Sequence, residues 1–316
     1  MPSISIKRVL EEYGDRLRLE VAAGESGLNK RISASTLNRP GLALTGYMEH
    51  FTYRKIQVLG KLEISYLNHL TPTQRLGNLK NLFMHEIPCF IVTWGQGIPP
   101  ELVALAETHQ IPILKTPLRT VMLITQLTFY LEDKFAPETS IHASLVDVFG
   151  MGVLIVGRSG VGKSECALEL IERGHRLIAD DIVEIKRLGN KLIGTGAELI
   201  KYHMEIRGLG VINIKELFGV SAICEKKEVE LVINLEEWKK DEYDRLGLGD
   251  KAHTLLGVKV PHLIIPIRPG RNIAILIEVG VMNQRLKDMG YHSAEEFNQK
   301  LLDWMETTRQ DKGENE

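Results

Sequence analysis

Only three of the 316 residues are cysteine, and Cys89, Cys166 and Cys224 stand far apart with no C-x-x-C pair. That excludes a disulfide framework and a thiolate metal site, and it favours a reducing, cytoplasmic setting. An excess of one charge is missing too: 39 Lys and Arg face 41 Asp and Glu. No global basic field therefore exists to hold nucleic acid or an anionic membrane, although a local basic site stays open. Long apolar runs are absent, since the stretch Val153 to Val156 falls far short of the roughly 20 residues that span a bilayer. The N-terminus becomes charged at Glu11 and Glu12 before the apolar core of a secretion signal can develop. No internal repeat or low-complexity block appears. These absences leave a globular chain with no expected nucleic-acid or membrane partner.

At roughly 100 to 200 residues per domain, the length points to two domains. Residues 1–133 alternate short apolar runs with helical patterns, which predicts a small α/β domain. Ile6, Val9, Leu10 and Tyr13 share a helix face, and Thr71, Pro72 and Gln74 supply an N-cap, a first-turn proline and a capping-box partner. Strands are expected at Cys89–Thr93 and Ile111–Leu114, with helices after Pro99-Pro100 and from Pro117, an alternation that favours a parallel sheet. Residues 134–140, with Pro137, read as a linker, 141–307 as a second domain, and 308–316 as a polar, disordered tail. Ile141–Phe149 and Val153–Val156 are expected to form a hairpin across Gly150-Met151-Gly152. Arg176–Arg187 is expected to be one extended segment.

The strongest chemical signal is Gly157-Arg158-Ser159-Gly160-Val161-Gly162-Lys163-Ser164, a full G-x-x-x-x-G-K-[ST] pattern between an apolar strand and a helix. Its backbone N–H groups wrap phosphates, Lys163 reaches the terminal ones, and the Ser164 hydroxyl is a Mg2+ ligand. Next, Leu177-Ile178-Ala179 runs into Asp180 and Asp181, a place for a metal or a proton acceptor beside a triphosphate. Strand alternation would turn only one of the two towards the nucleotide, and paired acids also simply end strands at surfaces. His142 is placed on the strand expected to pair with the one feeding the loop, as a structural residue or as part of the site. Glu205 and Arg207 flank a glycine-containing turn, where they suit Mg2+ and phosphate or merely pair with one another. Arg245 and the basic run 265–271 are further phosphate grips or solvated loops.

Taken in order, His142, GRSGVGKSE, GHRLIADD, EIRGLGVIN, YDRLG and IPIRPGRN resemble the HPr kinase/phosphorylase family, and GESGLNKRI and NRPGLALTGY extend the resemblance over nearly the whole chain. The resemblance implies an α/β chain: a small N-terminal α/β domain and a C-terminal P-loop kinase domain of the phosphoenolpyruvate carboxykinase type. It implies ATP- and Mg2+-dependent phosphorylation of a serine on HPr or an HPr-like protein, reversal by inorganic phosphate to give pyrophosphate, and a homohexamer. By matching motifs, it implies His142, Lys163, Asp181 and Arg245 as the catalytic set and Ser164 and Glu205 on the metal. Asp180 and Arg207 assist, and Pro266, Ile267, Arg268, Pro269, Gly270 and Arg271 serve dephosphorylation. Two departures stand out, Ala143 where glycine is expected and Arg158 where an acid is common.

The resemblance leads to a mechanism in which Asp181 takes the proton of the attacking serine, and in reverse returns it, its pKa raised by neighbours such as Asp180. Two rivals are a small-molecule kinase related to phosphoenolpyruvate carboxykinase and an ATP-dependent switch that phosphorylates nothing.

Overall fold

The computed structural model describes residues 3–238, 251–268 and 270–313, and the chain divides into two compact units, 1–136 and 137–316.

In the first unit α1 (Ile6–Leu17) is capped by the Ser5 hydroxyl. A four-stranded sheet follows, made of β1 (Glu20–Ala23), β2 (Gln57–Leu59), β3 (Phe90–Val92) and β4 (Ile113–Lys115) in the order β1-β4-β3-β2. β2, β3 and β4 are parallel and β1 is antiparallel. The helices are α2 (Lys61–His69), α3 (Pro72–Phe83), α4 (Pro100–His109) and α5 (Thr120–Phe135). Thr71 and Gln74 form the expected capping box on α3. Alternation along β3 and β4 sends Phe90, Val92 and Ile113 into one core and Ile91 and Leu114 into another, so both faces of the parallel strands are buried.

Of the expected linker, Lys134 and Phe135 finish α5, and Glu138 onward begins β5 (Glu138–His142). Only Ala136 and Pro137 separate the elements, because the polar residues after Pro137 alternate as an edge strand.

The second unit is built on two sheets. β6 (Ser144–Val148) and β7 (Met151–Gly157) form a hairpin about Phe149-Gly150, both with positive φ, so Met151 and Gly152 already belong to the strand. α6 (Lys163–Glu172) follows the glycine loop, then β8 (Arg176–Ala179), β9 (Ile182–Leu188), β10 (Lys191–Gly196) and a hairpin of β11 (His203–Ile206) and β12 (Gly210–Asn213). β13 (Lys226–Glu228), β14 (Leu231–Glu237), β15 (Lys251–Leu255) and β16 (Val258–Ile267) precede α7 (Ile273–Asp288) and α8 (Ser293–Gly313). One sheet runs β8-β6-β7-β14-β16-β15 and the other β13-β10-β9-β5. Residues such as Leu145, Leu154 and Val232 pack against Val183, Ile185 and Leu192 between the sheets. Ile155, Ile233 and Leu177 face Ala167 and Leu170 of α6 and Ile277 and Val281 of α7 on the other side. The layers are therefore sheet, sheet and helices.

Two expected strands are each broken in two. Ile141–Phe149 splits at Ala143, which leaves His142 in the second sheet opposite Ile182 and Ser144 in the first opposite Ile155. Arg176–Arg187 splits at Asp180-Asp181, where Asp181 adopts φ 69°. Both breaks are places where the chain passes from one sheet to the other, and they lie side by side, with Ala143 N–H donating to the Asp181 carbonyl at 3.2 Å. Of the expected disordered tail, residues 308–313 instead belong to α8, which continues to Gly313, and 314–316 lie outside the described residues.

Candidate active site

β7, β14 and β16 run parallel, so their C-terminal ends share one edge of the sheet, where ligand crevices form in open α/β sheets. β8 points the same way, because two antiparallel pairings separate it from β7. The loop 157–162, Asp180-Asp181, Trp238 and Arg268 all follow strands that end at this edge.

The glycine loop is held open by its own chemistry. Gly160 and Gly162 take φ of 77° and 98°, and Gly162 is the N-cap of α6, whose first N–H groups face the loop without a side-chain cap. Lys163 is buried, and its Nζ donates to the carbonyls of Gly157 and Arg158 at 3.3 Å each. The Arg207 guanidinium lies over the loop, since a Cβ added to Gly160 would stand 2.6 Å from its Nη2.

Beside the loop lies a cavity of about 320 Å³ lined by His142, Lys163, Ser164, Asp180, Asp181, Glu205 and Arg207, among others. Strand alternation wrongly implies that one aspartate turns away: the left-handed backbone at Asp181 interrupts the alternation and both carboxylates line the cavity. Asp181 is exposed and its Oδ1 accepts from His142 Nδ1 at 2.8 Å. Asp180 is only 4% exposed. It accepts from the fully buried Ser144 hydroxyl at 2.5 Å and is also hydrogen-bonded to Ser164. Burial pushes the Asp180 carboxyl above its usual range; the two serine bonds oppose that shift and the neighbouring Asp181 charge adds to it. The buried carboxyl held high is thus that of Asp180, directly beside the exposed carboxylate of Asp181.

The remaining candidates divide. Pro266 and Ile267 end β16 opposite Glu236 and Glu237. Arg268 stacks on Trp238 with its Cζ 3.4 Å from the ring centroid, and Arg271 donates to the Pro266 carbonyl at 3.3 Å. Gly270 sits in a turn with φ 78°. None of these lines the first cavity. A second cavity of about 360 Å³ lies on the other flank of the loop, between Arg158–Val161 and Asn234–Trp238. Arg245 and Pro269 fall outside the described residues.

Sequence reasoning missed Ser144 and Trp238. Nothing local marks Ser144, an ordinary polar residue within a strand. Trp238 had a readable signal, an aromatic after two acids at the end of a strand in a phosphate-loop domain.

Among the described residues no three His, Cys, Asp or Glu side chains are grouped to hold a metal by themselves. The oxygen donors Ser164 and Glu205 on one cavity suit Mg2+, which takes few protein ligands and completes its shell with phosphate and water. All three cysteines are free, and burial raises Cys166 to about 12.

Comparison with known proteins agrees with this layout. The HPr Serine kinase N terminus family matches residues 4–131, and the HPr Serine kinase C-terminal domain family matches residues 133–301. The HPr kinase/phosphorylase of Geobacter sulfurreducens is 51% identical over 96% of each chain. That of Geobacillus thermodenitrificans is 44% identical over 98% of this chain and 100% of its own. A solved structure, the Hpr(Ser) kinase/phosphatase from Coxiella burnetii, is 39% identical and covers 50% of this chain and 98% of its own, with a TM-score of 0.46. With both families matched in order across the two units, and relatives similar over nearly their full length, the chain belongs to the HPr kinase/phosphorylase family.

Proposed function

We propose that this chain transfers the γ-phosphate of ATP to a serine of HPr or a closely similar carrier protein, and removes it by phosphorolysis with inorganic phosphate, releasing pyrophosphate. The observation that carries the reading is the Asp181–His142 pair, an exposed carboxylate fixed by a ring nitrogen at 2.8 Å in the same cavity as the phosphate loop. In the forward direction the serine hydroxyl attacks phosphorus as its proton passes to Asp181 and the bond to ADP breaks. In reverse a phosphate oxygen attacks the phosphoserine, and protonated Asp181 returns its proton to the departing serine oxygen. Lys163, Arg207 and the loop N–H groups stabilise the charge of the transferring group. Arg245 is assigned to the same task by motif, and Pro266 to Arg271 to the phosphorolytic direction. Mg2+ held by Ser164 and Glu205 would neutralise phosphate charge.

Openness suits a protein substrate: Asp181 is 59% exposed at its side chain, so a serine presented on another protein can reach it. Assembly as a homohexamer in the cytoplasm belongs to the same proposal, supported by the exposed apolar residues Ile275, Val279 and Met282 on α7 and Phe297 and Trp304 on α8.

The test incubates the chain with HPr, Mg2+ and ATP, follows HPr by intact mass, and then replaces ATP with excess phosphate while assaying pyrophosphate. Addition and later loss of one phosphate, both abolished in Lys163→Ala, is the expected result. ATP binding with unmodified HPr would sink the substrate assignment and favour the nucleotide switch.

A further inference from the structure

His203 lines the phosphate cavity and takes no part in the proposed transfer. It lies two residues before Glu205 on β11, so strand alternation puts both side chains on one face of the β11–β12 hairpin, while Met204 between them is buried in the core on the other. Both are exposed, and both line the cavity that holds the Ser164 hydroxyl. At about 3.4 Å per residue their Cα atoms stand about 7 Å apart, a separation that two side chains can close on one cation.

The hydrogen bonds around the ring fix which nitrogen carries the lone pair. His203 Nδ1 lies 3.0 Å from the Lys201 carbonyl, which can only accept, so Nδ1 carries the proton. Opposite His203 in the ladder is Asn213. Its Oδ1 caps the short helix Ile214–Phe218 by accepting from the Glu216 N–H at 3.3 Å, so the amide NH2 is the group turned to the ring. That NH2 donates to Nε2 at 3.5 Å, the outer limit of a hydrogen bond. The pattern is that of the neutral imidazole, whose Nε2 lone pair meets only a weak donor that a metal ion displaces. A ligating histidine donates its other ring N–H to a carbonyl or carboxylate, and the Lys201 carbonyl already fills that role.

We propose that His203 Nε2 is a ligand of the divalent cation in this cavity, beside Ser164 and Glu205, and that the site therefore takes a transition-metal ion such as Mn2+ more tightly than Mg2+. The inference rests on the assignment of Ser164 and Glu205 to the metal. Imidazole nitrogen is a better ligand for transition metals than for Mg2+, which prefers oxygen and gives up its water reluctantly.

The test loads the full chain with pyrophosphate, which occupies the phosphate loop and contains no nitrogen. Mn2+ and Mg2+ are titrated by calorimetry, and pulsed electron paramagnetic resonance is recorded on the bound Mn2+. Expected are a Mn2+ affinity about tenfold or more above that for Mg2+ and a coupling from a directly bound imidazole nitrogen. In His203→Gln the coupling disappears and the Mn2+ affinity falls close to that for Mg2+. His203 is exposed, so its replacement does not threaten folding. A coupling that persists in His203→Gln comes from His142, the other imidazole of the cavity, and overturns the proposal. So does bound Mn2+ that shows no nitrogen coupling but is lost in Glu205→Gln; the oxygen ligands then stand and the histidine alone is removed from the site. Mn2+ binding indifferent to Glu205→Gln, or no Mn2+ binding at all, overturns the proposal together with the assignment of the metal to Ser164 and Glu205.

Discussion

His142 and Asp181 meet across two chain crossings: each lies where the backbone leaves one sheet for the other, and their side chains bond at 2.8 Å. The bond orients the carboxylate without burying it. Replacing Asp181 with Asn keeps the shape and removes the proposed proton acceptor, so phosphorylation and phosphorolysis should both fall by about 10²–10⁴-fold. His142→Ala frees the carboxylate to rotate and should lower kcat by a smaller factor in both directions, with ATP affinity retained. Steady-state assays in the two directions check this, and a normal rate in either direction for Asp181→Asn would falsify the acid–base assignment.

Gly160 is constrained twice, by φ 77° and by the Arg207 guanidinium above it. Gly160→Ala should strain the loop by roughly 1–2 kcal/mol and displace Arg207. Nucleotide affinity should drop at least tenfold, while the thermal midpoint of the chain changes by only a few degrees. Gly189→Ala, also at positive φ but with open space around it, should leave nucleotide affinity unchanged, which calorimetric titration distinguishes.

Asp180 is an acid held above its ordinary pKa by burial. Its contribution to stability is fully present below the unfolded value of about 3.9 and is lost as pH rises through the folded value. At neutral pH, where the unfolded chain has released this proton, the buried acid therefore destabilises the nucleotide-free chain. Asp180→Asn should raise the thermal midpoint at pH 7 by a few degrees, and the gain should shrink towards pH 4. Scanning calorimetry across that range checks it; an Asn variant less stable at pH 7 than at pH 4, relative to the parent, would show the opposite sign.

Ser144 is the only buried hydroxyl on β6, and it bonds to Asp180 at 2.5 Å. Ser144→Ala leaves that carboxylate with one donor fewer and should cost about 1–3 kcal/mol in stability. Ser144→Thr keeps the donor and should recover most of it, measured by urea unfolding.

The phosphate loop was legible because everything it needs is local: glycines at left-handed positions, a strand before and a helix after. Capping at Thr71 and the alternating strands of the first unit were legible for the same reason. The rest depends on distant pairing. His142 joins Asp181 only because β5 pairs with β9 rather than with β7, and nothing in the run Ile141–Phe149 announces a break at Ala143. The two aspartates both reach the cavity because one backbone torsion departs from strand geometry, which a periodic pattern cannot reveal.

Asp181 and His142 meet only where the two sheets are joined, so their bond depends on the packing of both sheets, whereas the phosphate loop is framed by β7 and α6 alone. On the proposed mechanism, proton transfer would therefore be the part of the site most sensitive to a disturbance of the sheet-to-sheet packing, and phosphate binding the part least sensitive to it.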